Sequence, residues 1–139
     1  MPMSLHWDND DKTIIRIETE GRYTWDEYNL VMDEFFNRVD THDSVFGVIA
    51  VRSANAQVPP GNASPHYTRT TRRFEERPQL YLVNVKQETY VKTLTQMYAR
   101  NFKMTDKVFT AATVEEARAI LEQVRARLSD NDDTLTHSE

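Results

Sequence analysis

Cysteine is absent, glycine occurs only at positions 21, 47 and 61, and no uninterrupted apolar run is longer than Val45 to Val51. Without cysteine there are no disulfides, no thiolate nucleophile and no cysteine-ligated metal. The three scattered glycines make no phosphate-cradling loop, and there is no Gly-x-Ser-x-Gly elbow. The apolar run is too short to span a bilayer, and the opening MPMSLHWDNDD lacks the apolar core of a signal peptide. The chain therefore reads as cytoplasmic, with no integral membrane segment. An excess of cationic side chains is missing as well: the formal charge of -5 argues against a general attraction to nucleic acid or anionic membrane. His6, His42, His66 and His137 show no paired ligand spacing, and the DNDD stretch lacks the glycine and closing glutamate of a calcium loop, so no metal or other cofactor is expected. Asp40, His42 and Asp43 cluster in VDTHD, but at a polar helix exit, where turn formation explains them. With no catalytic motif, the chain reads as non-enzymatic.

What is present has the order of an α/β domain. A chain of 139 residues can remove about two-thirds of its unfolded surface from water in a single core. LHW and TIIRIET flank the turn formers DNDDK and predict a hairpin, with Ile15 and Ile17 on one face and Arg16 and Glu18 on the other. Thr24 and Glu27 have capping-box spacing at the head of a helix whose apolar stripe is Trp25, Tyr28, Met32, Phe35 and Val39. VFGVIAV lacks alternation, as expected at the centre of a sheet covered on both faces. Leu80 to Val85 and a segment from Lys107 predict two more strands. The helix between them carries Tyr90, Val91, Leu94, Met97 and Tyr98. A last helix, capped by Thr113 and Glu116, carries Val114, Ala117, Ile120, Leu121, Val124 and Leu128. These elements predict a single domain over residues 1–128: a mixed, mainly parallel sheet of about five strands with about four helices. Residues 129–139, SDNDDTLTHSE, form an acidic polar tail with too little apolar surface to order itself.

The order strand-strand-helix followed by three strand-helix rounds, closing in VFTAATVEEARAIL, resembles the SpoIIAA-like fold of STAS domains, the sulfate-transporter and anti-sigma-factor-antagonist modules. The resemblance covers about residues 5 to 128 and implies a non-catalytic regulatory module that binds a protein partner. In antagonist-type members an Asp-Ser-Ser-Gly motif carries a phosphorylated serine. Here the junction reads GNASPHY, with Asn62 and Ala63 near the places of the Asp and the modified Ser, and Ser64 one step on. Ser64 before Pro65 reads as a helix N-cap with proline at the first helical position, while a phosphate on Ser64 would meet a helix N-terminus.

The loop from Ser53 to Ser64 is the longest leaving a central strand, and such loops line the binding crevice of α/β sheets. In the helix that follows, Tyr67, Thr71 and Phe74 are expected to face the sheet, with Arg69, Arg72 and Arg73 outward, either as a docking patch for an acidic or phosphate-bearing partner or as a solvated face balanced by Glu75 and Glu76. The expected partner-binding residues are Ser53, Asn55, Asn62, Ser64, His66, Arg69, Arg72 and Arg73. The alternative is a small-ligand or lipid-binding domain whose apolar pocket opens near the same loop, around Trp25, Tyr67 and Tyr90. Trp7 and Tyr23 leave two readings open: exposed aromatics that meet a second copy in a homodimer, or aromatics near strand ends that finish the core.

Overall fold

The computed structural model describes the backbone of residues 2–85 and 89–137. Strand β1 (Met3–Trp7) pairs antiparallel with β2 (Ile14–Thr19), and α1 (Trp25–Thr41), β3 (Gly47–Arg52), α2 (Ser64–Glu75), β4 (Tyr81–Val85), α3 (Thr89–Asn101), β5 (Val108–Ala111) and α4 (Val114–His137) follow in turn. The strands lie in the order β1-β2-β3-β4-β5, and every pair after the first is parallel. The non-alternating VFGVIAV stretch thus supplies the central strand, as its composition predicts. Asn9 closes the hairpin: its side-chain oxygen accepts the N–H groups of Thr13 and Ile14.

Strand sides sort cleanly. Ile15, Ile17 and Val48 pack with Tyr28, Met32 and Phe35 of α1 and Phe74 of α2, whereas Ile49, Val83 and Val85 pack with Ala117 and Leu121 of α4. The three crossover helices therefore cover one face of the sheet and α4 covers the other. Thr24 accepts the Glu27 N–H at 3.0 Å at the head of α1. At α4, Thr113 accepts the Glu116 N–H, and the Glu116 carboxylate accepts that of Ala112, both at 3.1 Å. Gly47 lies where an added Cβ would meet the Leu121 methyls at 3.0 Å, so its missing side chain lets α4 sit close on the central strand.

Several expectations are revised. Met97 and Leu128 are exposed rather than core, and Ala99 of α3, outside the expected stripe, is buried; the side chains of Tyr90 and Val91 lie outside the described residues. Helix α4 runs past residue 128 to His137, through a stretch with neither proline nor glycine to stop it. Tyr23 is buried, and Trp7 is half-buried with its ring edge on His42 at 4.9 Å. Both aromatics pack with the core, the second of the two readings open for them. Asp40 pairs with Arg77, and His42 forms the exit of α1, in keeping with a turn rather than an acid–base site.

One ionic cluster ties α4 to the hairpin. Arg118 donates Nε and Nη2 to the two oxygens of Asp8 at 2.9 Å each, and Arg16 donates Nη1 at 2.7 Å. The Asp8 side chain is 1% exposed. Burial alone would raise its pKa, but the Arg118 and Arg16 guanidiniums outweigh that and hold the carboxyl below its ordinary range. A depressed carboxylate contributes stability above the unfolded-state pKa, and this is lost as pH falls through the folded value. Asp8→Asn is expected to cost about 2 kcal/mol at neutral pH. Urea midpoints measured from about pH 6 down to about pH 2 should show the variant losing less stability than the wild type over that window.

Candidate functional site

Past β3 the chain is tied down at each step. Ser53 donates its N–H to the Thr19 carbonyl, Ala56 to that of Ser53, and Gln57 to that of Gly21. The Asn55 side-chain oxygen accepts the Gly21 N–H at 3.2 Å and the Ser53 hydroxyl. Ser53 and Asn55 are therefore brought together, and each helps fold the loop onto the residues before α1. Trp25 donates its indole N–H to the Pro60 carbonyl at 3.2 Å and stacks on His66 with ring centres 4.3 Å apart, while Asn29 bonds the His66 ring at 3.2 Å. Gly61 has φ +100, a conformation that other residues rarely adopt, and it turns the chain into α2.

The start of α2 differs from the expected N-cap. Ala63 holds the cap position without a side-chain bond, and Ser64 is the first helical residue. Asn62 accepts the Ser64 N–H at 3.1 Å, and the Ser64 hydroxyl bonds the Tyr98 hydroxyl of α3 at 2.9 Å. Ser64 thus links two helices, because its side chain points across to α3 rather than back along its own helix.

The arginines divide into two kinds. Arg73 and Arg69 both donate to one Asp33 oxygen of α1, at 2.6 and 3.1 Å. Arg77 makes a two-pronged pair with Asp40 at 2.8 and 2.7 Å. The guanidiniums of Arg73 and Arg77 also lie 4.4 and 4.6 Å from the ring centre of the fully buried Phe36. Arg72 is exposed and has no ion pair among the described residues. The expected balance by Glu75 and Glu76 is replaced mainly by Asp33 and Asp40 on the neighbouring helix. Asn62, Ser64, Arg69, Arg72, Arg73 and the acidic Glu76 line an open groove of about 580 Å³ along the outer side of α2.

Beneath α2 lies a second space. A cavity of about 170 Å³ separates the helical layer from the sheet, with Met32 of α1, Tyr67 and Phe74 of α2 and Tyr98 of α3 above it. Ile17, Val48 and Leu82 form its apolar floor; Thr19, Arg52 and Asn84 add polar groups. Tyr67 belongs to it, as the pocket expectation held, but Trp25 stands outside, edge-on to Tyr67 at 5.5 Å. Burial pushes the Tyr28 and Tyr67 hydroxyls up, so both stay protonated, and Tyr28 bonds Thr70 at 2.8 Å. Arg52 is 8% exposed and donates Nη1 to the Tyr23 hydroxyl at 3.0 Å. Asn84 is 5% exposed, and its amide nitrogen has no hydrogen-bond partner among the described residues, an arrangement that costs about 1–3 kcal/mol. Thr19, Arg52 and Asn84 were not singled out from sequence. The available signal was a polar residue near the end of an otherwise apolar strand, most plainly the Asn in LYLVNV.

Among the described residues no group of His, Asp or Glu could hold a metal ion, and no helix is long and apolar enough to cross a membrane. No family model matches the chain, and no curated protein matches it in sequence. Among solved structures it is similar to the Bacillus cell fate determinant SpoIIAA in its phosphorylated form, at a TM-score of 0.58 and 11% identity, over 86% of this chain and 98% of that one. The strand and helix order legible in the sequence and the architecture built from it agree with that likeness: the chain has the SpoIIAA-like fold.

Proposed function

We propose that this chain is a non-catalytic regulatory module that docks a protein partner through the loop 53–64 and the outward side of α2. The observation that carries the reading is the α2 groove. Within an acidic chain it presents Arg72 with no ion pair among the described residues, beside Arg69, which shares the Asp33 carboxylate with Arg73. Planar guanidiniums suit an acidic or phosphate-bearing segment, which they can grip through paired donors. The fold supports the same class, since SpoIIAA is described as a cell fate determinant and was solved phosphorylated.

Of the residues expected to make this contact, Ser53, Asn55 and His66 act by shaping the loop, whereas Asn62, Ser64, Arg69 and Arg72 supply the surface. Arg73 also lines the groove, but its guanidinium is held in the helix seam by Asp33 and Phe36. Phosphorylation of Ser64 would replace its bond to Tyr98 with negative charge in the groove and so compete with an acidic partner for Arg69 and Arg72.

Affinity capture with quantitative mass spectrometry should find one protein retained by the wild type and depleted about tenfold or more by a combined Arg69→Glu, Arg72→Glu variant, the loss of charged hydrogen bonds being of that size. The same protein should be depleted by Ser64→Asp. Arg73 is left intact so that the variant keeps its wild-type unfolding midpoint. Equal retention by all three forms would place the contact elsewhere and contradict the reading.

A further inference from the structure

The cavity under α1, α2 and α3 is polarised along the strands. Ile17, Val48 and Leu82 make its inner floor, and further along the same strands, on the same face, come Thr19, Arg52 and Asn84. Strand register gathers these three: Thr19 lies opposite Arg52 on adjacent strands, and Asn84 lies opposite Ala50, two residues before Arg52. All three are buried. They stand at the carboxyl ends of three neighbouring parallel strands, the end at which open α/β sheets bind ligands.

Space is left there because Ala50, on the central strand, puts only a methyl group into the floor. Ala50 and Leu82 both keep accessible surface although they lie within the sheet under the helices. An apolar cavity of about 150 Å³ accepts a benzene-sized molecule, and this one measures about 170 Å³. The Asn84 nitrogen, which has no hydrogen-bond partner among the described residues, can only donate, so a ligand group that pairs with it is an acceptor.

We infer that the cavity binds a small, mostly apolar molecule, of the bulk of a single ring or a short alkyl chain, that carries one carbonyl or carboxylate oxygen acceptor. The acceptor meets Asn84 at the polar end, with Arg52 beside it, and the apolar body lies over Val48, Ala50 and Leu82. The site is separate from the outward face of α2, although α2 roofs it.

Ligand-observed saturation-transfer NMR tests this with three probes of similar size: benzoate, benzamide and toluene. The full chain should bind benzoate or benzamide, and whichever is tighter reports whether the acceptor is charged. Toluene should bind about tenfold more weakly or worse, the size of one lost hydrogen bond in a buried site. Asn84→Leu should erase the advantage of the acceptor probe over toluene and melt at or above the wild-type temperature, because it removes a buried unpaired amide. Ala50→Leu, which fills the floor, should abolish binding of all three. Leu30→Ala, at an exposed position on α1, should bind as the wild type does. No binding of any probe at millimolar concentration would overturn the inference, and so would toluene binding as tightly as the acceptor probes. Undiminished binding in folded Ala50→Leu would also overturn it. If Ala50→Leu fails to fold, the Asn84→Leu comparison decides. None of these readouts depends on a protein partner, so their failure would leave the docking proposal standing.

Discussion

The seam between α1 and α2 is the constraint on which the helical face depends. Phe36 is fully buried, and the guanidiniums of Arg73 and Arg77 lie against its ring while Asp33 and Asp40 hold their charged ends. Each arginine thus combines a cation–π contact with an ion pair, and its alkyl stem covers apolar surface that water would otherwise reach. Phe74, one residue from Arg73, packs its ring against both Phe35 and Phe36 at 5.7 and 5.2 Å. Rotation of α2 about its axis would break the ion pairs and expose the aromatic cluster together, so the helix has one well-determined face. That determination decides which side chains line the outer groove and which roof the cavity.

The same seam explains why a cluster of arginines in the sequence is not a uniform patch. Arg73 and Arg77 hold α2 to α1, Arg69 is tethered at one point, and Arg72 stands clear. Surface ion pairs alone contribute little; those here gain weight because two of the arginines also cover a buried ring. The cavity beneath has the opposite character. A void and an amide nitrogen without a partner among the described residues both lower stability, and they occur together at the carboxyl ends of the central strands.

Much of the fold was legible in the sequence because its signals are local. The Thr24 and Thr113 caps, the turn at Asn9 and the unalternating VFGVIAV strand each report on a few adjacent residues, and their order leaves few topologies open. The site was legible only in outline. Arg69 and Arg73 find Asp33 more than thirty residues away, and Ser64 finds Tyr98 at a similar distance. Local reading instead assigned Glu75 and Glu76 as counter-ions and a cap to Ser64. Thr19, Arg52 and Asn84 belong to three strands, and only the parallel register sets them side by side. Asn84 was visible as a polar interruption in an apolar run, but the side of the sheet it faces depends on pairing that a single strand does not encode.

The account stands most directly on the division of labour among the α2 arginines. Urea unfolding of Arg72→Ala, Arg73→Ala and Arg77→Ala, measured side by side, tests it. Arg73→Ala and Arg77→Ala should each lower stability by about 1 kcal/mol, the scale of a cation–π contact with a partly exposed ion pair, while Arg72→Ala should leave the midpoint unchanged. Equal effects at all three positions, or a loss confined to Arg72→Ala, would contradict it.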